Sequence, residues 1–217
     1  MTATPASARA TVKRNARRAE YDPQVIKQIL AAAQICHVAY VVDGEPRQIA
    51  TLYYVDDDYL YLHGNRQAAV LKHIAGGGEV SVNVMIVDGV VVARSGFHCS
   101  MNYRSVTLFG VGEAVPADEH VRVLDQFVDV LVPGHGAAVR EHTPQELAAT
   151  AVVRLPLTEM SAKVRAGDPI DDDGDLDSDV WAGQIPVVSR ALPAIPSSDL
   201  KQGIQTPDYI ANFKFRG

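Results

Sequence analysis

The sequence predicts a mainly β fold, an antiparallel barrel of six or seven strands with two or three helices packed on it. Two observations carry that prediction. Short apolar, β-rich runs recur along the chain, separated by Asp-Gly and Asp-rich turns. The helical stretches fall at spacings that do not make repeated βαβ units, which favours a closed or nearly closed barrel.

The elements follow in order. Asp22-Pro23 opens a helix, because the Asp side chain accepts from orphan amides and Pro suits the first turn. Val25, Ile26, Ile29, Leu30 and Ala33 then recur at helical spacing. At Cys36 the period changes, and residues 36–43 and 48–55 read as strands around an Asp43-Gly44 turn. Asp56-Asp57-Asp58 turns into residues 59–63, where Tyr59, Tyr61 and His63 alternate with Leu60 and Leu62. Residues 66–74 read as a short helix ended by Gly76-Gly77-Gly78. Strands at 80–87 and 90–96 follow, parted by an Asp88-Gly89 turn. Residues 103–115 form a longer strand that Gly110 or Gly112 bends. Residues 117–132 put Val121, Leu124, Phe127, Val128 and Leu131 on one helical face. Thr143-Pro144-Gln145-Glu146 spells a capping box, and residues 150–157 return as a strand. Residues 1–16 are expected to be a mobile basic tail that carries Lys13 and Arg14, and residues 17–165 the barrel domain. Residues 166–217, rich in Asp, Pro, Gly and Ser, are expected to be an irregular arm packing on the barrel or on a partner subunit.

Composition excludes several classes. A chain of 217 residues with 47% hydrophobic and 21% charged residues is neither disordered nor fibrous. A net charge of −6 lacks the basic field of a nucleic-acid binder. Runs such as Val84–Val87 fall far short of the roughly 18 residues that span a membrane, and Met1–Ala10 has no apolar signal core. Cys36 and Cys99 read as free buried thiols, so the expectation is a cytoplasmic protein.

The common catalytic and phosphate motifs are missing: no P-loop, no G-x-G-x-x-G after a strand, no H-E-x-x-H and no C-x-x-C. Asp171–Asp179 imitates a calcium loop, but with Gly174 as its glycine the first ligand position falls on Pro169, so a solvated acidic loop is expected and no metal site. Two polar segments stand out, His63-Gly64-Asn65-Arg66 with Lys72, and Ser95–Ser105. A strand-to-helix junction with Gly64 offers free amides, and Arg66 and Lys72 offer charge, which makes a phosphate seat. A capped helix with solvent-facing basic residues explains the same spacing equally well.

The stretches RAEYD (18–22), HVAYVVDGEPRQIATLYYVDDDYLYLHGN (37–65), DGVVVARSGFHCSMNYRSVTLFGVGEAV (88–115), ELAATAVVRLPLTEMSAKVRAGDP (146–169) and DVWAGQIPV (179–187) decide between these readings. Taken together they resemble the pyridoxamine 5′-phosphate oxidase-like flavin-binding split barrels, in particular the branch that includes nitroimidazole-resistance proteins. The resemblance implies a six-stranded antiparallel Greek-key split barrel and a homodimer with FMN at the subunit interface. It implies that Ile49, Ala50 and Thr51 line the flavin ring with their backbone. Leu62 and His63 would sit at the ribityl or ring edge, with Gly64, Asn65, Arg66 and Lys72 in the phosphate segment. Ser105, flanked by Tyr103 and Arg104, would reach the cofactor from the next strand, and Trp181 would cover the site from the arm. Relatives carry a Ser-Arg pair inside the helix where this chain has Ala68-Ala69. Losing such a charge-assisted bond costs about 1.5–3 kcal/mol.

The implied activity is an FMN-dependent oxidoreduction of a small molecule, in which the flavin carries the chemistry. His63 and His98 are the candidates for proton delivery. A flavin- or haem-binding protein without turnover, and a cofactor-free dimeric scaffold, are the two rival classes. An open seam, together with Val84, Ile86, Val90 and Val92 as apolar material beyond one barrel, points to the dimer.

Overall fold

The computed structural model describes residues 3–216; residues 1, 2 and 217, which include the start of the basic tail, lie outside it. Two antiparallel sheets face each other across one core. The first runs β1 (Ala19–Glu20), β10 (Met160–Arg165), β7 (Ser100–Val111), β6 (Glu79–Val92), β2 (Ile35–Val42) and β3 (Glu45–Leu52). The second runs β4 (Tyr54–Val55), β5 (Tyr59–Asn65), β9 (Thr150–Pro156) and β8 (Glu113–Ala114). The chain passes between them at two corners. At the first, Tyr53 separates β3 from β4, is buried, and donates its hydroxyl to Leu30 O. At the second, Gly112 separates β7 from β8. A Cβ there would lie 2.6 Å from Ile74 and 2.7 Å from the Arg154 carbonyl, so only glycine fits. The result is a split barrel.

The core follows from strand alternation. Cys36, Val38 and Tyr40 of β2 and Val80, Val82, Val84 and Ile86 of β6 point inward, against Leu60 and Leu62 of β5 and Val153 and Leu155 of β9. Helix α1 (Pro23–Ala32) closes one end with Ile26, Ile29 and Leu30, and Asp22 caps it by accepting from the Gln24 amide at 2.8 Å. Helix α2 (Ala69–Ala75) adds Val70, Leu71 and Ile74. A satellite cluster forms where α3 (His120–Leu131) lays Val123, Leu124 and Phe127 on Tyr61 and Val152 of the second sheet. The capping box at Thr143 starts α4 (Pro144–Ala149). No helix among the described residues is long and apolar enough to cross a membrane.

Several expectations are corrected. Asp88-Gly89 is no hairpin turn. β6 runs through it as one strand with a bulge between Val87 and Gly89, and the inward parity switches there from Val84 and Ile86 to Val91 and Ala93. Arg104 on β7 clamps the bulged Asp88 at 2.7–2.9 Å, which holds the extra residue in place. Val84 and Ile86 are therefore core and unavailable to a partner, and Val90 and Val92 are half-buried and paired with β11; Ile35, Val41 and Met85 are among the exposed apolar residues of the strands. On α3, Val123 faces inward, while Val121 and Leu131 are exposed. Cys36 is buried, which pushes its thiol up to about 12, whereas Cys99 is exposed. Part of the arm is regular, since β11 (Gly183–Pro186) pairs with Gly89–Val92 of β6. Asp171, expected in a solvated loop, accepts from the Arg94 amide and guanidinium, both at 2.9 Å, with its side chain almost wholly buried. In the basic tail, Ala10 is buried and Arg9 bridges Glu79 and Glu159 at 2.6 Å each.

Candidate functional site

Two clefts border the start of β9, and Thr150 lines both. The first, of about 300 Å³, is walled by Leu52, Leu124, Phe127, Val128 and Leu131, with His63 and His142 as its nitrogen donors. Alternation along β5 creates it. Leu62 points into the core, so His63 must point out, under α3. The His63 ring lies 4.1 Å from the Phe127 ring, and its Nδ1 is buried without a hydrogen-bond partner. Burial lowers the His63 pKa, which keeps the imidazole neutral at neutral pH. His142 holds Asp125 at 3.2 Å. His120, at the start of α3, is also pushed down, by burial first and then by His142.

The second cleft, of about 350 Å³, brings together Arg66, Lys72 and His120 beside Leu71 and Val115. Of the expected phosphate segment, Arg66 and Lys72 line this cleft and Gly64 and Asn65 do not, and both cations are engaged. Arg66 donates to the Ala148 carbonyl at 2.9 Å, and Lys72 donates to Gln67 Oε1. Asn65 Oδ1 accepts from the Gln67 amide at 2.8 Å and shapes the turn into α2. α2 itself starts at Ala69, without a side-chain cap. At Gly64 a Cβ would sit 3.4 Å from Leu71, so its missing side chain lets α2 approach β5.

The remaining expected site residues lie elsewhere. Ile49, Ala50 and Thr51 are on β3, paired on one side with β2 (Ile49 opposite Val38), and β3 is the last strand of its sheet. Their other backbone edge is thereby offered outward. Leu62 is a core residue, so only its backbone is available to a cofactor. Arg104 is consumed by Asp88 and is no free cation for a phosphate. Ser105 donates to the Lys163 carbonyl at 3.3 Å, and Tyr103 stands opposite Arg165 on β10. Trp181 is 63% exposed and lies over Gly183, outside both clefts. Sequence reading missed the apolar wall of the His63 cleft. Leu124 and Phe127 were visible as a helical face, but not what that face covers.

A family model described as pyridoxamine 5′-phosphate oxidase matches residues 22–164. This chain belongs to the pyridoxamine 5′-phosphate oxidase family. Two solved structures resemble it over nearly their full length. The flavocytochrome Anf3 from Azotobacter vinelandii is 34% identical, with 95% of this chain and 96% of that one covered and a TM-score of 0.90. The FAD and heme binding protein from Mycobacterium smegmatis is 31% identical, with 92% and 100% covered and a TM-score of 0.88. A candidate 5-nitroimidazole antibiotic resistance protein from Bacteroides thetaiotaomicron shares the fold, at 20% identity over 67% of this chain and 86% of that one, with a TM-score of 0.56. No curated protein matches the sequence significantly. Family membership and these full-length likenesses place the chain among the split barrels of that family.

Proposed function

We propose that this chain is a flavin-dependent redox protein that also seats a haem, which the His63 imidazole would hold. The observation that carries this reading is the neutral His63 imidazole, with its buried Nδ1 unpaired, in a cleft walled by Leu and Phe side chains. A haem pocket needs an apolar wall and an unprotonated imidazole, and the cleft supplies both. The named cofactors of the flavocytochrome and of the FAD and heme binding protein support the pairing of flavin with haem.

When bound, the two prosthetic groups would supply electron transfer, and the protein would supply position and exclusion of water. Phe127 fixes the His63 ring, and α3 covers it. The outward edge of β3 at Ile49–Thr51 offers peptide groups to a flavin ring in a homodimer. FAD is the favoured flavin, because the full-length likeness is to an FAD binder and Ala68-Ala69 removes the usual phosphate grip. FMN is the second reading, carried by Arg66, Lys72 and His120 in one cleft. A reduced donor and a small-molecule acceptor complete the reading.

The visible spectrum of the purified protein tests it. Flavin bands together with a Soret band are expected, and His63→Ala is expected to remove or shift the Soret band while leaving the flavin in place. A protein that takes up neither added haem nor added flavin overturns the reading. A Soret band unchanged in His63→Ala overturns the ligand assignment.

A further inference from the structure

The end of β10 carries a charge arrangement that neither the His63 cleft nor the Arg66–Lys72 cleft uses. Arg165 closes that strand and is 6% exposed. Its Nη1 donates to Asn102 Oδ1 and, at 3.2 Å, to the Gly167 carbonyl; its Nη2 donates to the Asp168 carbonyl at 3.3 Å. All three acceptors are neutral, and Nε is buried with no partner. Arg17 and Arg18 reach the same pocket from the short 3-10 helix Ala16–Arg18, because β1, which follows it directly, pairs with β10 through Ala19 and Lys163. Among the described residues, no carboxylate forms an ion pair with Arg17, Arg18 or Arg165, whereas neighbouring Arg94 holds Asp171 at 2.9 Å. Asp172 also lines the pocket but faces His98 at 3.2 Å and is mostly exposed.

A buried guanidinium met only by neutral carbonyls, with two more cations beside it, is electrostatically unfavourable. Burial first, and then the charges of Arg18 and Arg17, push the Arg165 pKa below its ordinary value. An anion entering the pocket would remove that cost. Guanidinium forks match phosphate oxygens best, and the space, of about 250 Å³, admits a phosphate-sized group. Phe97 lines the same pocket with 91% of its surface exposed, an apolar ring that nothing in the fold covers.

We propose that Arg17, Arg18 and Arg165 bind the phosphate groups of a nucleotide-type ligand, with Phe97 as the face on which its ring stacks. Such phosphates have two sources, the flavin nucleotide itself or a separate nucleotide. The site stands independently of the flavin reading; only the first source rests on it.

The test is calorimetric titration of ADP, at fixed ionic strength, into the protein as purified and into the protein saturated with FAD. Each is done for wild type, for the double substitution R17Q/R18Q and for Phe97→Ala. Arg17 and Arg18 lie outside the core, so the double substitution is expected to keep the thermal melt of wild type. ADP is expected to bind wild type, adenosine is not, and R17Q/R18Q is expected to weaken ADP at least about ten-fold, with a several-fold loss in Phe97→Ala. If saturation with FAD blocks ADP, and R17Q/R18Q weakens FAD but spares riboflavin, the phosphates are the flavin's. If FAD-saturated protein takes ADP with unchanged affinity, they belong to a separate nucleotide. The proposal is overturned if R17Q/R18Q leaves ADP affinity unchanged. It is also overturned if ADP fails to bind and the double substitution alters FAD and riboflavin equally or not at all.

Discussion

His63 is held neutral by desolvation, and that has a sign that can be measured. Its folded pKa lies below the ordinary value near 6.5, so as pH falls the unfolded chain takes up its proton first. The stability tied to neutral His63 is whole above about pH 6.5 and is lost as pH falls through the folded pKa. His120, shifted the same way, adds to the slope. The melting temperature is therefore expected to drop between about pH 7 and about pH 5, and His63→Phe is expected to flatten that drop. Equal slopes in the variant and wild type would contradict the burial argument. The position of His63 on the face opposite Leu62 was legible in the strict alternation of residues 59–63. Its surroundings were not, because Phe127 and Leu124 lie some sixty residues away and meet it only through the docking of α3.

At the scale of elements, two glycines decide where strands go. Gly112 turns the chain from the first sheet into the second against Ile74 and the Arg154 carbonyl. Gly112→Ala must displace backbone as well as side chain, and a loss of about 1–3 kcal/mol in urea unfolding is expected. Gly89 lies beneath β11, where a Cβ would approach the Ile185 carbonyl to 2.9 Å. Gly89→Val is expected to release Gly183–Pro186 from β6, and limited proteolysis would report it as faster cleavage within 166–190. Unchanged cleavage would mean that β11 is held by something other than its ladder. Asp88-Gly89 reads as a turn to any local rule, because Asp-Gly is the strongest hairpin dipeptide. The Arg104 clamp and the β11 ladder turn the same two residues into a bulge. Both are long-range contacts that no window of sequence contains.

At the scale of the whole molecule, β3 ends its sheet with an outer backbone edge, and Ile35, Val41 and Met85 stand exposed on the neighbouring strands. An edge of that kind invites a second copy. Sedimentation is expected to give a dimer at micromolar concentration, and a species near 23.4 kDa throughout a dilution series would contradict it. The dimer is expected to bind flavin, so a substitution that opens it, such as Met85→Asp, is expected to lower flavin affinity in parallel. Flavin bound with full affinity by the monomer would separate the site from the interface.

Strands β1, β10 and β11 escaped the sequence and β6 read as two strands, while the sequence by itself determined strands β2, β3, β5, β7 and β9, the capped starts of α1 and α4, the buried stripe of α1 and the family. These rest on periodicity, cap chemistry and matched segments, all of which are local or cumulative along the chain. The tertiary structure alone decided which charges are free. Arg104 and Arg66 look available in the sequence, yet one is clamped by Asp88 and the other turned to a helix carbonyl. Arg165 looks like an ordinary strand-end cation, yet it is buried with neutral acceptors beside Arg17 and Arg18. A guanidinium's role depends on the partner that folding brings to it, and for Arg104 and Arg66 that partner lies sixteen and eighty-two positions away.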